Sequence, residues 1–97
     1  MISLEDCIAL TGLTEEEILA IAEHEHVPEV VACGLASYLA SKDHGLDDVR
    51  NMIIEDIREA QANQKSAHAK ELLHVLHHFL RSHPEARPAE HPWSRVF

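Results

Sequence analysis

Residues 13–18 constrain this chain more than any other stretch. Thr14 stands three residues before Glu17, the spacing of a capping box, and Leu13 and Ile18 flank the pair at the spacing of a hydrophobic staple. Together they satisfy the free N–H groups of a first helical turn and fix the angle at which the chain enters it. A helix therefore begins at Glu15. Its acids Glu15, Glu16 and Glu17 sit against the positive end of the helix dipole, and Ile18, Leu19, Ala22 and His26 are expected on its inner face. Pro28 closes it.

The same punctuation divides the rest of the chain. Ser3 and Asp6 can cap a short first helix from Leu4 to about Leu10, which Thr11 and Gly12 stop. Pro28 can open a third helix over residues 29–41, apolar nearly all round (Val30, Val31, Leu35, Tyr38, Leu39), which predicts a central position in the bundle. After the turn Lys42 to Gly45, the apolar residues Leu46, Val49, Ile53, Ile57 and Ala60 recur at helical spacing and predict a fourth helix over about 47–62. Ser66 can cap a fifth, whose inner face is Ala69, Leu72, Leu73, Leu76, Phe79 and Leu80. The short polar break between them makes these two an antiparallel hairpin. The fold class is all-α: a bundle of five helices over residues 1–82, the first one short, followed by a Pro-rich C-terminal tail over residues 83–97.

Charge and cysteine usage narrow the function. The net charge is −9, and residues 1–48 hold eleven acids against the single base Lys42. A polyphosphate is repelled by that field, and no cluster of Lys and Arg offers counterion release, so nucleic acid is not an expected partner. No apolar run reaches membrane-spanning length, and no leader-like segment opens the chain. Cys7 and Cys33 belong to no C-x-x-C pair and fall on apolar faces, which points to two buried thiols in a reducing compartment. A soluble cytoplasmic protein is expected.

Nine histidines are the most suggestive residues, because imidazole titrates near neutrality and ligates transition metals. Glu71, His74 and His78 share one face of the fifth helix, opposite its leucines, with His77 at the boundary. Glu23 with His26 and Glu71 with His74 both read E-x-x-H, the pairing ferritin-like bundles use for metal ligands. There is no phosphate loop, nucleophile elbow or H-E-x-x-H motif, and paired carboxylates such as Glu55 and Glu59 read as solvated surface. Catalysis is not expected.

Two functions follow. The first is a non-enzymatic protein-binding or homo-oligomerising module that uses the histidine face of the fifth helix, including His77, and the aromatic tail with Trp93, Val96 and Phe97. Its partner is another protein or a second copy. The alternative is a helical protein binding a divalent transition metal through Glu71, His74 and His78, with Glu23 and His26.

Overall fold

A computed structural model describes residues 3–87 of the chain. It contains five α-helices and no strand among those residues: α1 (Leu4–Thr11), α2 (Glu15–Glu25), α3 (Glu29–Ser41), α4 (Gly45–Ala62) and α5 (Ser66–Ser82), with a 3₁₀ turn at Pro84–Ala86. The helix starts follow from local chemistry. Ser3 and Asp6 form a reciprocal capping box on α1, and Gly12 takes the left-handed conformation that ends it, with φ of 75°. On α2 the Thr14 N–H donates to Glu17 Oε1 at 2.9 Å while Thr14 Oγ1 accepts from the Glu17 N–H at 3.2 Å. The staple residues Leu13 and Ile18 are both buried.

α4 and α5 form the antiparallel hairpin and the most extensive helix contact of the fold. Val49, Ile53 and Ile57 of α4 and Leu72, Leu76, Phe79 and Leu80 of α5 supply much of one core, which Ile18 and Ile21 of α2 and Ala32 and Ala36 of α3 complete. α3 packs against α1, α2 and α4. Between α3 and α4 the backbone passes so close to the Leu39 carbonyl that a Cβ on Gly45 would collide with it, so this glycine is needed for lack of a side chain.

Several expectations change. Ser66 does not cap α5: Lys65 occupies that position without a side-chain hydrogen bond. Instead Gln64 adopts φ of 58° and the Lys65 N–H reaches back to the Ala60 carbonyl at 2.8 Å, so the turn closes α4 more than it opens α5. α2 ends in the same way. His26 is left-handed, with φ of 57°, and the Val27 N–H donates to the Ala22 carbonyl at 3.1 Å. This turn swings His26 out to solvent, off the inner face expected of it, and inserts half-buried Val27 against the core.

α3 is not enclosed either: Val30, Val31 and Tyr38 are 57%, 52% and 60% exposed. Of the residues placed on inner faces, Leu19 and Leu73 also remain largely exposed, while Glu17 of α2 is buried. Residues 83–87 pack on the bundle, with Ala86 fully buried, its carbonyl accepting from Arg50 Nη1 at 2.6 Å, and Arg87 Nε donating to the Leu80 carbonyl at 2.9 Å. The remainder of the expected tail, including Trp93, Val96 and Phe97, lies outside the described residues.

The cysteines are not separate thiols. Cys7 of α1 and Cys33 of α3 are bonded to each other, with Cα atoms 6.1 Å apart, and tie the shortest helix to the bundle. Their sequence separation of 26 residues is invisible to any local pattern. Closing a loop of that length is worth about 3–4 kcal/mol in the chain-entropy account. Urea unfolding with and without a dithiol reductant is expected to show a loss of that order on reduction. An unchanged midpoint would mean that α1 contributes nothing the bridge enforces.

Candidate functional site

Three histidine–carboxylate pairs join α2 to its neighbours, and they frame the candidate site. Near the start of α2, the buried Glu17 carboxylate meets His78 Nδ1 of α5 at 3.2 Å. Two turns further on, both carboxylate oxygens of Glu23 lie against His68 Nε2 of α5, at 2.7 and 2.9 Å. On the other flank of α2, His24 Nδ1 lies 3.1 Å from Asp56 Oδ1 of α4, with Glu55 at 3.6 Å from Nε2. The spacing is helical: residues 17, 23 and 24 fall on the sides of α2 that meet α5 and α4.

Between the first two pairs, α2 and α5 diverge to leave a groove of about 420 Å³. Leu19, Ala20, Leu72 and Val75 make its floor, and Glu16, Glu23, Glu71, His68 and His74 line its margins. Leu19 remains 46% exposed because nothing opposite fills that space. Across α2 lies a second cleft of about 320 Å³, bordered by Glu23, Glu55, Asp56, Glu59 and the imidazoles of His24, His26 and His68. Most of its lining side chains are carboxylates or imidazoles, and the Lys65 ammonium lies along its edge.

Two groups in this region depart from ordinary titration. Burial pushes the Asp56 carboxyl above its usual range, and the hydrogen bond to His24 only partly offsets that cost. Its second oxygen, Oδ2, is buried without a hydrogen-bond partner. The His68 imidazole is raised above its ordinary 6.5, first by the hydrogen bond with Glu23 and then by the charges of Glu23 and Glu71.

The expected metal ligands are dispersed by this arrangement. Glu23 is engaged by His68, Glu71 lies 3.7 Å from His68 Nδ1, and His78 is engaged by Glu17. His74 sits on the groove margin and His26 on the opposite cleft. Among the described residues no three His, Cys, Asp or Glu side chains are placed to hold a metal ion. His77 is half-buried beside His74, His78 and Arg81. The histidine face of α5 is thus partly an interface with α2, and His68, which the sequence pattern did not single out, joins Glu23 of α2 and Glu71 of its own helix.

No family model matches the chain, and no curated protein or solved structure is similar to it. The fold and the groove define a small five-helix, all-α protein, and no helix among the described residues is long and apolar enough to cross a membrane.

Two outcomes test the electrostatics. Because the folded value of His68 is raised, its contribution is complete below 6.5 and is lost as pH rises through the folded value. The His68 side chain is 37% exposed, so solvent screens the pair to roughly 0.5 kcal/mol. Urea midpoints measured from pH 5.5 to 8.5 are expected to fall with pH over this window, and Glu23→Gln to flatten the fall; equal slopes in the two proteins would contradict it.

For Asp56 the raised folded value favours the protonated acid, so the contribution present at low pH is lost as pH rises, and the ionised form is a burden at pH 7. Asp56→Asn keeps an acceptor for His24 and removes that charge. It is expected to stabilise the fold by about 1 kcal/mol at pH 7 and by less at pH 4. A loss of stability at pH 7 would show that the ionised pair with His24 outweighs its desolvation.

Proposed function

We propose that this chain is a non-enzymatic protein-binding module whose binding surface is the α2–α5 groove, with the histidine face of α5 along its margin. The observation that carries this reading is the groove itself: an apolar floor with an outward-facing leucine, Leu19, between acidic margins. Such a surface suits a segment that offers large apolar anchors beside a cationic residue. The floor takes the anchors, and Glu16, Glu23 and Glu71 take the cation.

The occupant we assign is residues 88–97 of this chain, from the same molecule or a second copy. This segment contains Trp93, Arg95, Val96 and Phe97, which combine the required anchors and charge. It can reach the groove. The Arg87 side chain donates from Nε to the Leu80 carbonyl, and the groove floor at Leu72 lies eight residues back from Leu80 along α5, about 12 Å away. Ten residues of extended chain span up to about 33 Å. Occupied from within, the groove is self-capped; occupied from a second copy, it assembles the protein. Because the disulfide is a device of oxidising compartments, binding is to be measured with and without reductant.

Trp93 is the only tryptophan, so its fluorescence reports on this segment alone. The full chain is expected to emit to the blue of a water-exposed indole, and Leu19→Glu to shift that emission back to the red. A water-like emission in the parent protein would overturn the assignment, as would a blue emission that Leu19→Glu leaves in place.

A further inference from the structure

At eight residues, α1 is shorter than the roughly 12 residues that an isolated helix needs to persist in water, so it keeps its form only by docking. It rests on α3, and little of it is buried. Cys7 and Thr11 are enclosed and Ile8 is half-buried, while Glu5, Asp6, Ala9 and Leu10 face water. Its side-chain hydrogen bonds are local: Ser3 and Asp6 cap each other, and Thr11 Oγ1 donates to the Ile8 carbonyl and accepts from the Leu13 N–H. The chain beyond α1 is anchored without it. Leu13 is buried, the Thr14–Glu17 box starts α2, and the Glu17 carboxylate meets His78 of α5. Gly12 stands at the junction, left-handed, with no atom within 4 Å of the place a Cβ would take, so its backbone angles can change without a clash.

From these observations we infer that α1 is an arm hinged at Gly12 and latched to α3 by the Cys7–Cys33 bridge, so that a dithiol releases the arm while the rest of the bundle stays folded. The exchange needs access to one sulfur. Cys33 lies one turn from Val30 and from Ser37, which places the bridge at the edge of the exposed stripe that Val30, Val31, Gly34, Ser37, Tyr38 and Ser41 form along α3. A thiolate of the dithiol attacks one bridge sulfur, the bond between the cysteines breaks, and one cysteine leaves as a thiolate while the other is held in a mixed disulfide. The second thiolate of the reductant displaces that cysteine and closes the reductant's own disulfide. Two electrons pass to the protein, and the two cysteine thiolates take up the two protons that the dithiol gives up.

The release follows from what remains. With the bridge open, the arm is held by Cys7, Thr11 and part of Ile8, and a segment with so few buried apolar contacts opens before the core does. Its departure uncovers Cys33, 3% exposed in the bridged chain, and adds that residue to the stripe. Redox state thereby sets how much apolar surface α3 shows. Among the described residues none of α1 lines the α2–α5 groove, so this inference and the groove's role stand or fall separately.

Hydrogen exchange of the full chain, followed by mass spectrometry before and after dithiothreitol, reads the arm and the core in one experiment. Addition of two carbamidomethyl groups by iodoacetamide verifies that the bridge has opened. In the oxidised chain the amides of Cys7 to Gly12, bonded to the carbonyls of Ser3 to Ile8, are expected to be protected. In the reduced chain they should exchange within about threefold of the rate of an unstructured peptide, whereas peptides covering Ile53–Ile57 and Leu72–Leu80 stay at least about a hundredfold slower than that rate. Reoxidation should restore the arm's protection. The double variant Cys7→Ala, Cys33→Ala, which cannot close the bridge, should behave as the reduced chain does. A bridge that dithiothreitol does not open in the native protein overturns the inference, as do arm amides that exchange alike in both states or stay protected in the double variant. Loss of protection in the core together with the arm also overturns it, and would make the bridge a staple of the whole fold. An arm that reoxidation leaves unprotected overturns its role as a latch.

Discussion

The Glu17 carboxylate is the interaction on which this arrangement rests. It is 1% exposed, and a carboxylate so far from water is stable only with hydrogen-bond partners on its oxygens. One oxygen accepts the Thr14 N–H and so belongs to the start of α2; the other meets His78, 61 residues away on α5. A single side chain therefore performs a local task and a tertiary one. Because both oxygens are committed, the first turn of α2 cannot rotate without stranding a buried acid. That fixes which residues of α2 face inward: Ile18 and Ile21 enter the core, and Leu19 is left on the groove.

The contacts around α2 differ in kind from those between α4 and α5. The hairpin is closed by aliphatic packing of Ile53 and Ile57 with Leu72 and Leu76, reinforced by Phe79, which is indifferent to protonation. α2 adds apolar anchors of its own, yet its polar links to α4 and α5 run through imidazoles. Of these, the Glu23–His68 pair is exposed and worth a fraction of a kcal/mol, so that margin of the groove should yield before the core does. The groove can therefore widen at its Glu23–His68 end at smaller cost than at the buried Glu17.

Helix boundaries were legible wherever a short-range motif specifies them. The boxes Ser3–Asp6 and Thr14–Glu17, the stop at Gly12 and the start of α3 after Pro28 each depend on groups within a few residues of one another, whereas α2 ends at the His26 turn before Pro28 is reached. The failures share a different cause. Periodicity names an apolar face but not the distance to the next helix, so Leu19 and Leu73 were placed inside when the helices beside them do not close over them. His26 was misplaced because a left-handed turn without glycine leaves no compositional mark. The Cys7–Cys33 bond and the pairs Glu23–His68 and His24–Asp56 join residues from separate helices, which only the packed topology brings together. Glu71, His74 and His78 are exposed on α5, but the contacts of His68 and His78 with α2 depend on where Glu23 and the buried Glu17 lie, which the sequence does not display.

The exposed stripe on α3 and the groove between α2 and α5 present different chemistries, and salt tells them apart. The groove margins are acidic, so occupancy there rewards a cationic segment and weakens as salt screens the attraction. The stripe is uncharged, so salt acts on it only through the charges around it. Ionic strength therefore bears on the groove more than on the stripe.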